Sequence, residues 1–483
     1  MQKVNLLIGG ESRAAGTAAV FDRIDPFTGA VASRTAAATV EDADAAVAAA
    51  RAAFPMWSGL SATERRKRLM RAADELDALT GEFIAIGVAE TGATPGWYGF
   101  NVALAAGMLR EAASMTTQIA GEVIPSDVPG SVAMAVRRPC GVVLGIAPWN
   151  APVILGMRAI ALPLACGNTV VLKGSELCPG VHALIGAAMH KAGLGDGVVN
   201  VILNAPADAA QIVERLIASP AVRRVNFTGS TPVGRLIAKT AAKHLKPVLL
   251  ELGGKAPLLV LDDADLDAAA AAANFGAFMN QGQICMSTDR IVVDERVADE
   301  FVKKLVARAA PLVAGDPRRN DVALGCMVTA EAAARVGNLV RDAIEKGASL
   351  AMGGGIDGAV MQPTVVDRVT SAMNIYAEES FGPVVVVLRA SGECDAIRIA
   401  NDSPFGLSAA VFTRDCARGL RVAEQIESGI CHVNGPTVHD EANMPFGGVK
   451  DSGYGRFGGK AAIAEFTDLR WITVQTGPRH YPF

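Results

Sequence analysis

The run Pro139-Cys140-Gly141-Val142-Val143-Leu144-Gly145-Ile146-Ala147-Pro148 decides the fold class. It is a short apolar segment between breakers, which predicts a buried strand, and residues 168–173 repeat the pattern after an apolar stretch typical of a buried helix. Strand and helix patterns then alternate: helices over 182–191, 208–218 and 232–244, and strands over 198–203, 224–228 and 247–252. This alternation predicts right-handed βαβ crossovers and a mostly parallel sheet.

The flanking segments complete an α/β organisation. Residues 41–54 and 62–90 have the spacing of surface helices, and the alanine-rich segment 264–279 predicts another helix. A second β/α set runs over 290–431 and ends in a glycine-rich loop at 446–459. We therefore expect two open parallel-sheet domains joined near residue 252.

Two segments predict strands that lie outside either sheet. Residues 121–138 alternate in the manner of a hairpin arm, and the tail around 470–475 does the same. Exposed strands of this kind are prone to pairing, which favours contact with a second subunit.

Length and composition bound the function. A chain of 483 residues suggests two large domains or about three smaller ones at roughly 150 residues each. Hydrophobic residues make up 51% and mean hydropathy is +0.30, which excludes a disordered or collagen-like chain. The net charge of −4 comes from interspersed charges, so we expect neither a nucleic-acid partner nor an acidic membrane surface.

The chain also predicts its compartment. Its apolar runs stay short of the ~18 residues that a membrane helix needs, and Gly9-Gly10 stop the first of them, so neither a membrane span nor a signal peptide is expected. The eight cysteines form no Cys-x-x-Cys pair, which argues against a disulfide framework or a zinc ribbon. We expect a cytoplasmic protein with reduced thiols.

One cysteine and one glutamate have contexts that favour chemistry. Cys285 lies in a polar, amide-rich loop that ends the alanine-rich helix. Glu251 ends an apolar strand, where desolvation would raise its pKa and suit it to act as a base; a capping or salt-bridged carboxylate is the alternative. The six histidines show no metal-ligand spacing, so no metal is predicted.

Three further motifs concern nucleotide binding. The segment from Gly229 to Gly234 follows a strand and opens a helix, the context of a phosphate cradle, although it lacks the lysine of a P-loop and a plain turn remains open. Lys173 and Glu176 follow another strand, where the carboxylate could hold a ribose diol and repel a 2′-phosphate; two solvated charges are the alternative. A Gly-x-Gly-x-x-Gly pattern at 453–458 lacks a preceding strand, which predicts a loop.

Together these segments resemble the NAD(P)-dependent aldehyde dehydrogenase superfamily over essentially the whole chain. The landmarks occur in the family's order: Pro148-Trp149-Asn150, Lys173 with Glu176, Phe227-Thr228-Gly229-Ser230, Glu251-Leu252-Gly253-Gly254-Lys255, Gly282-Gln283-Ile284-Cys285, Glu379-Ser380-Phe381-Gly382-Pro383 and Pro445-Phe446-Gly447-Gly448. Within the family, the chain looks most like the branch that oxidises salicylaldehyde in bacterial naphthalene degradation.

The resemblance implies a domain plan and a catalytic set. It implies a Rossmann-like NAD-binding domain over 1–120 and 140–252, a catalytic domain over 253–450, and an oligomerisation arm and tail over 121–139 and 460–483. Cys285 would be the nucleophile that forms a thiohemiacetal and then a thioester. Asn150 would stabilise the oxyanion, and Glu251 would activate the hydrolytic water.

The resemblance also implies binding residues. Those for NAD, which Glu176 favours over NADP, are Ile146, Trp149, Lys173, Glu176, Gly229, Ser230, Gly234, Glu379 and Phe381. The family's Gly-x-Gly loop reads Asn204-Ala205-Pro206-Ala207 here, which leaves that loop's cofactor contacts open. Those for the aldehyde are Trp97, Arg158, Met279, Ile284, Met286 and Met444.

The substrate prediction depends on that last set. It is apolar and wide enough for an aromatic ring, and the Arg158 cation would suit an ortho-hydroxyl or phenolate, unless it faces solvent or pairs with a carboxylate. We expect oxidation of an aromatic aldehyde, first of all salicylaldehyde to salicylate, by a homodimer or dimer of dimers. The alternatives are a broader benzaldehyde or aliphatic aldehyde dehydrogenase, a cofactor-free cysteine thioesterase, and a catalytically silent scaffold, against which the intact Cys285, Glu251 and Asn150 argue.

Overall fold

The computed structural model describes residues 1–319 and 321–483. Its helices are Val40–Ser58, Ala62–Ala78, Thr80–Thr91, Pro95–Met115, Pro152–Ala165, Pro179–Lys191, Ala209–Ala218, Thr231–Lys243, Leu266–Phe278, Ala298–Ala309, Ala330–Glu345, Asn374–Ala377, Glu393–Asn401, Cys416–Ala423 and Ala461–Glu465, with 3₁₀ turns at Pro206–Asp208 and Met279–Gly282. The helices pack against the faces of two large sheets, as expected for an α/β fold.

The first sheet places the predicted nucleotide-binding residues along one edge. In spatial order its strands are Gly453–Tyr454, Val248–Glu251, Val222–Thr228, Val142–Ile146, Thr169–Lys173, Val199–Ile202, Leu6–Ile8 and Glu11–Arg13. The pairings from Val248–Glu251 across to Val199–Ile202 are parallel, and Ile146 lies opposite Lys173 while Thr228 lies opposite Glu251. The carboxyl ends of these strands therefore meet at one edge, where open α/β sheets bind ligands.

The second sheet begins earlier in the chain than the sequence predicted. Its order is Ser349–Met352, Thr364–Asp367, Val384–Ala390, Arg290–Asp294, Pro257–Val260, Ser408–Phe412 and Ile430–Val433, with parallel pairing except at Ser349–Met352. The strand Pro257–Val260 was missed because a proline and two preceding glycines resemble a loop. It is a central strand, so the short link from Glu251 joins the two sheets directly.

A third, smaller sheet stands apart from both. It consists of Glu122–Ile124, Ser131–Pro139 and Thr467–Gln475, and the last two pair from Pro139 opposite Thr467 to Ser131 opposite Gln475. The predicted arm and tail strands are thus present outside the large sheets, and they pair with each other. Smaller pairings join Gln2–Val4, Val31–Ala36 and Val20–Ile24, Ile356–Asp357 with Val360–Met361, and Phe405–Gly406 with Val449–Lys450.

Two local predictions need correction. The helix predicted over 62–90 is divided at Leu79, which ends Ala62–Ala78 and precedes Thr80–Thr91. The predicted surface helix at 41–54 extends to Ser58 and is anchored by Trp57, which is fully buried and donates from Nε1 to the Leu164 carbonyl at 3.0 Å. Amphipathic spacing predicted that these segments are helical. How deeply their side chains are buried depends on the helices and sheet that pack against them.

The glycine-rich pattern at 453–458 is mostly a loop, with one addition. Gly453–Tyr454 pairs antiparallel with Val248–Glu251 and closes one edge of the first sheet. The chain therefore returns from the second sheet to the first. Over residues 1–319 and 321–483, no helix has both the length and the apolar character needed to cross a lipid bilayer.

Candidate active site

The loop that carries Cys285 has an uncommon backbone. After Leu266–Phe278, residues Asn280, Gln281 and Gly282 adopt φ values of 49°, 55° and 67°. Such angles cost a non-glycine residue about 1 kcal/mol or more. Glycine is required at 282, since an added Cβ would lie 2.0 Å from the Gly382 carbonyl oxygen. The turn thus reverses the chain in little space and brings Cys285 back toward the first sheet.

Amide hydrogen bonds hold Asn150 against this loop. Asn150 Nδ2 donates to the Gln283 carbonyl at 3.0 Å, and Asn280 Nδ2 donates to the Asn150 carbonyl at 2.9 Å. The Trp97 indole also donates to the Asn150 carbonyl, at 3.0 Å. An amide nitrogen has two N–H groups, so one N–H of Asn150 is left for an oxyanion beside Cys285. The sequence singled out this amide-rich loop, but it did not predict that Asn280 and Gln283 position Asn150.

Glu251 is buried beside Cys285. Its side chain is almost fully buried, and neither carboxylate oxygen has a hydrogen-bond partner in the described part of the chain. Burial raises the pKa of Glu251 to about 7, an effect that Arg158 and the Cys285 thiol partly oppose. Burial and the neighbouring Glu251 carboxylate also raise the pKa of the Cys285 thiol well above its usual value. A carboxylate that titrates near neutrality next to a thiol is suited to accept a proton from it.

A buried polar cluster fixes the surrounding loops. Lys255 Nζ donates to Asp289 Oδ1 at 2.7 Å and to Ser380 Oγ at 3.2 Å, and the Ser380 backbone N–H donates to Asp289 Oδ2 at 2.9 Å. Glu379 accepts from the Gly254 N–H at 2.9 Å. These bonds link the segments after Glu251 and Cys285 to the segment that carries Glu379. No sequence pattern indicated that Asp289 and Ser380 would position these loops.

The segment from Gly229 to Gly234 has the geometry of an anion-binding turn. Ser230 immediately precedes the helix Thr231–Lys243, and its side chain makes no capping hydrogen bond there. Gly234 lets this helix approach the sheet, since an added Cβ would lie 2.4 Å from Leu252 Cδ2. Free N–H groups at a helix N-terminus and a close glycine contact fit a bound pyrophosphate.

Lys173 and Glu176 form an ion pair rather than two solvated charges. Lys173 Nζ donates to Glu176 Oε1, and Asn204 Nδ2 donates to the same oxygen at 3.1 Å. Asn204, in the loop where the family often has Gly-x-Gly, thus positions Glu176. The carboxylate keeps a second oxygen for a ribose hydroxyl.

Two of the remaining predicted cofactor residues, Glu379 and Phe381, line a small cavity beside Cys285. Trp149 and Phe381 meet edge to face, with ring centroids 5.7 Å apart, and Phe381 has a φ of 48°. Burial raises the pKa of Glu379 to about 7. Ile146 ends its strand in a buried position. The predicted cofactor residues therefore lie at the carboxyl ends of the first sheet and beside Cys285, and their residue types fit a dinucleotide.

The predicted aldehyde-binding residues fall into two groups. Ile284 and Met286 are buried on either side of Cys285, with Trp97 beside Asn150 and Met279 half-buried. Arg158 and Met444 instead line a neighbouring cavity. Arg158 is no free cation, because it forms a buried ion pair with Asp440. The pairing that the sequence left open is the one observed, and Asp440 itself was not predicted.

Metal ligation finds no support in the described residues. No group of three His, Cys, Asp or Glu side chains is arranged there to hold an ion.

Known proteins resemble this chain over most or all of its length. The aldehyde dehydrogenase family profile matches residues 13–472. This chain belongs to the aldehyde dehydrogenase family. It is 66% identical over 482 residues to a vanillin dehydrogenase of Pseudomonas fluorescens, with full coverage of both chains. It is 51% identical to a salicylaldehyde dehydrogenase of Pseudomonas sp. strain C18, with 96% of each chain covered.

A solved structure of a family member has the same fold. The salicylaldehyde dehydrogenase from Pseudomonas putida G7, crystallised with salicylaldehyde, superposes with a TM-score of 0.98 at 49% identity and full coverage of both chains. This confirms the predicted family and its fold. The chain is an aldehyde dehydrogenase with Cys285, Glu251 and Asn150 brought together from separate segments.

The burial of Glu251 predicts a pH-dependent stability effect. Its pKa rises from about 4.5 unfolded to about 7 folded, so ionising it destabilises the fold as pH rises through that interval, by up to about 3 kcal/mol. Glu251→Gln removes this penalty. We expect the unfolding temperature of the variant minus that of the unmodified protein to be larger at pH 8 than at pH 5.

The exposed Glu214 provides the control. Glu214→Gln should show the same relative unfolding temperature at both pH values in scanning calorimetry. A pH-independent difference for Glu251→Gln would contradict the assigned burial penalty.

Proposed function

We propose that this enzyme oxidises a hydroxylated benzaldehyde to its carboxylate with NAD, with vanillin as the leading substrate. The observation that carries the proposal is the meeting of Cys285, Glu251 and Asn150 beside a largely apolar cavity that contains the buried pair of Arg158 and Asp440. A vanillin dehydrogenase is the relative at 66% identity, whereas the salicylaldehyde dehydrogenase is at 51%. Vanillin therefore replaces salicylaldehyde, which the sequence resemblance favoured, as the leading candidate substrate. Salicylaldehyde becomes the second candidate.

The first half of the reaction forms a bond to sulfur. Glu251 accepts the Cys285 proton, and the thiolate adds to the aldehyde carbon to give a thiohemiacetal oxyanion. The free Asn150 N–H and the Cys285 backbone N–H donate to that oxygen, and one such donor is typically worth about 10²–10³ in rate. NAD, when bound, supplies the acceptor for the hydride that leaves this carbon. The acyl group then remains on Cys285 as a thioester.

The second half hydrolyses that thioester. Glu251 loses its first proton to solvent and then takes a proton from water, whose oxygen attacks the acyl carbon. The carbon–sulfur bond breaks, Glu251 returns its proton to the leaving Cys285 thiolate, and the carboxylic acid product leaves and ionises. Aldehyde, NAD and water thus become carboxylate, NADH and protons. A pKa of about 7 lets Glu251 perform both proton transfers near neutral pH.

The central test is NADH formation from vanillin. We expect absorbance at the NADH band to rise with vanillin and NAD, and Cys285→Ala to lower the rate about 10³-fold or more, because the acyl group has no other acceptor. NAD binding, measured by calorimetry, should persist in that variant. Cys416→Ala, at an exposed cysteine, is the matched control and should retain full activity.

Two outcomes would sink the proposal. Normal activity of Cys285→Ala would exclude the thioester route. Hydrolysis of an aryl thioester without any NADH formation from aldehydes would favour the cofactor-free thioesterase instead.

Cofactor choice follows from Glu176 in this proposal. Its carboxylate is held by Lys173 and Asn204, where it would accept a bond from the ribose 2′-hydroxyl and repel a 2′-phosphate. We expect Glu176→Gln to shift the ratio of kcat/KM for NADP to that for NAD upward by about tenfold or more, which corresponds to ~1.4 kcal/mol. Steady-state kinetics with both cofactors measures this ratio.

Glu214→Gln changes the net charge equally and should leave the ratio as it was. An unchanged ratio in Glu176→Gln would remove Glu176 from cofactor selection.

The proposal includes association of two copies through the small sheet. Leu469 and Trp471, two residues apart on the strand Thr467–Gln475, are large apolar side chains on the same face of this sheet, and Trp471 is 77% exposed. Monomeric proteins rarely leave such a patch uncovered. We expect light scattering to give at least a dimeric mass, and Leu469→Glu with Trp471→Glu to give monomers.

The apolar Leu245 is 93% exposed elsewhere on the surface. Leu245→Glu should therefore leave the mass unchanged, whereas a monomeric unmodified protein would refute the association.

A further inference from the structure

The cavity next to the catalytic loops combines an apolar wall with one buried ion pair. Met108, Leu162, Met444 and Phe446 contribute to the wall. Arg158 and Asp440 also line it, and their side chains are only 5% and 9% exposed. A mostly apolar wall with a buried polar pair suits an aromatic ring that carries a polar substituent.

The pair leaves one acceptor unused. Arg158 donates to Asp440 Oδ2, and its guanidinium carbon lies 3.9 Å from the centroid of the Phe446 ring. The Arg158 charge is therefore already balanced by a carboxylate and an aromatic face. Asp440 Oδ1, by contrast, is buried without a hydrogen-bond partner among the residues that the structure describes. Leaving such an oxygen unsatisfied is costly, which makes it a ready acceptor for a ligand donor.

The other carboxylates of the cavity differ from Asp440. Glu441 is exposed, and its Oε1 lies 2.8 Å from Nε2 of His439. Glu111 accepts a bond from Ser114 Oγ at 3.3 Å. Asp440 thus combines burial with a free acceptor.

Hydrogen bonds fix Asp440 relative to the nucleophile. Thr437 Oγ1 donates to the Met286 carbonyl at 2.8 Å and lies 2.8 Å from Thr288 Oγ1. The segment three residues before Asp440 is thereby attached to the segment immediately after Cys285. Arg158 lies close enough to Cys285 and Glu251 to lower the pKa of both. A ring whose formyl carbon reaches Cys285 can therefore extend toward the pair.

We propose that Asp440 selects hydroxybenzaldehydes by accepting a hydrogen bond from the neutral ring hydroxyl, while Arg158 holds the carboxylate in place. The ring hydroxyl therefore binds as a hydrogen-bond donor to the Asp440 carboxylate, and it does not bind as a phenolate paired with Arg158. This inference rests on the proposed function and names its specificity determinant. A substrate with a methyl group in place of the hydroxyl would bury Asp440 Oδ1 unsatisfied, for which we expect a loss of about 10- to 100-fold in kcat/KM.

The test compares substrates of matched shape. Vanillin is paired with 3-methoxy-4-methylbenzaldehyde, and salicylaldehyde with 2-methylbenzaldehyde. For each pair, the ratio of kcat/KM is measured in the unmodified enzyme and in Asp440→Asn. Dividing one ratio by the other cancels the intrinsic reactivity of the aldehydes. In the variant, the amide oxygen stays on Arg158 and the NH₂ group faces the substrate, so it no longer favours a donor.

We expect the ratio to fall at least about tenfold in Asp440→Asn for one pair or both, with little change for the methyl analogue. The pair that responds identifies the ring position. Glu214→Gln is the control at an exposed carboxylate outside the cavity, and its ratios should equal those of the unmodified enzyme. Unchanged ratios in Asp440→Asn, or equal losses for hydroxyl and methyl substrates, would overturn the inference.

A second variant keeps the test decisive if Asp440→Asn folds poorly. Replacing both partners, Arg158→Met with Asp440→Leu, removes a buried ion pair without leaving an unpaired charge, which proteins commonly tolerate. This double variant should prefer the methyl analogues. Retained preference for the hydroxyl would refute the role of Asp440, whereas failure of the unmodified enzyme to oxidise any of the four aldehydes would instead refute the proposed function.

Discussion

The active site depends on a close backbone crossing at Gly253 and Gly254. An added Cβ at Gly254 would lie 2.3 Å from the Cys285 carbonyl oxygen, and one at Gly253 would lie 2.8 Å from Glu379 Oε2. At Gly254 only glycine allows the short link between the two large sheets to pass against the Cys285 backbone, and Gly253 leaves room for the Glu379 carboxylate. Glu251, Cys285 and the predicted cofactor residue Glu379 are therefore neighbours because of this close crossing.

Buried charged groups are fully hydrogen-bonded in the supporting loops but only partly hydrogen-bonded near the reacting residues. Lys255 and Asp289 are buried together, and hydrogen bonds satisfy their polar atoms. Glu251 and Asp440 each retain buried carboxylate oxygens without partners in the described structure. An unsatisfied buried acceptor is unfavourable for stability, so its presence at Glu251 and at Asp440 marks groups available to water or substrate.

The sequence predicted much of this molecule for identifiable reasons. The strands at 142–146 and 169–173 are short apolar runs between breakers, and such runs form buried parallel strands wherever helices alternate with them. The strand Pro257–Val260 escaped prediction because its local residues resemble a loop, although pairing on both sides makes it central. The role of Cys285 could be inferred, since it lies in a polar, amide-rich loop that ends the alanine-rich helix.

The sequence by itself determined the fold class, the family and the types of residue that carry the chemistry, because these depend on local pattern and on motifs in a fixed order. Tertiary structure alone decided which groups meet. Arg158 and Asp440 are far apart in the chain, yet they form a buried ion pair. This pair neutralises the Arg158 cation and holds Asp440 Oδ1, a buried acceptor without a partner in the described structure. The same packing gave Asn204 its contact with Glu176. Contacts of this kind depend on how sheets and loops pack in three dimensions, which no local pattern encodes.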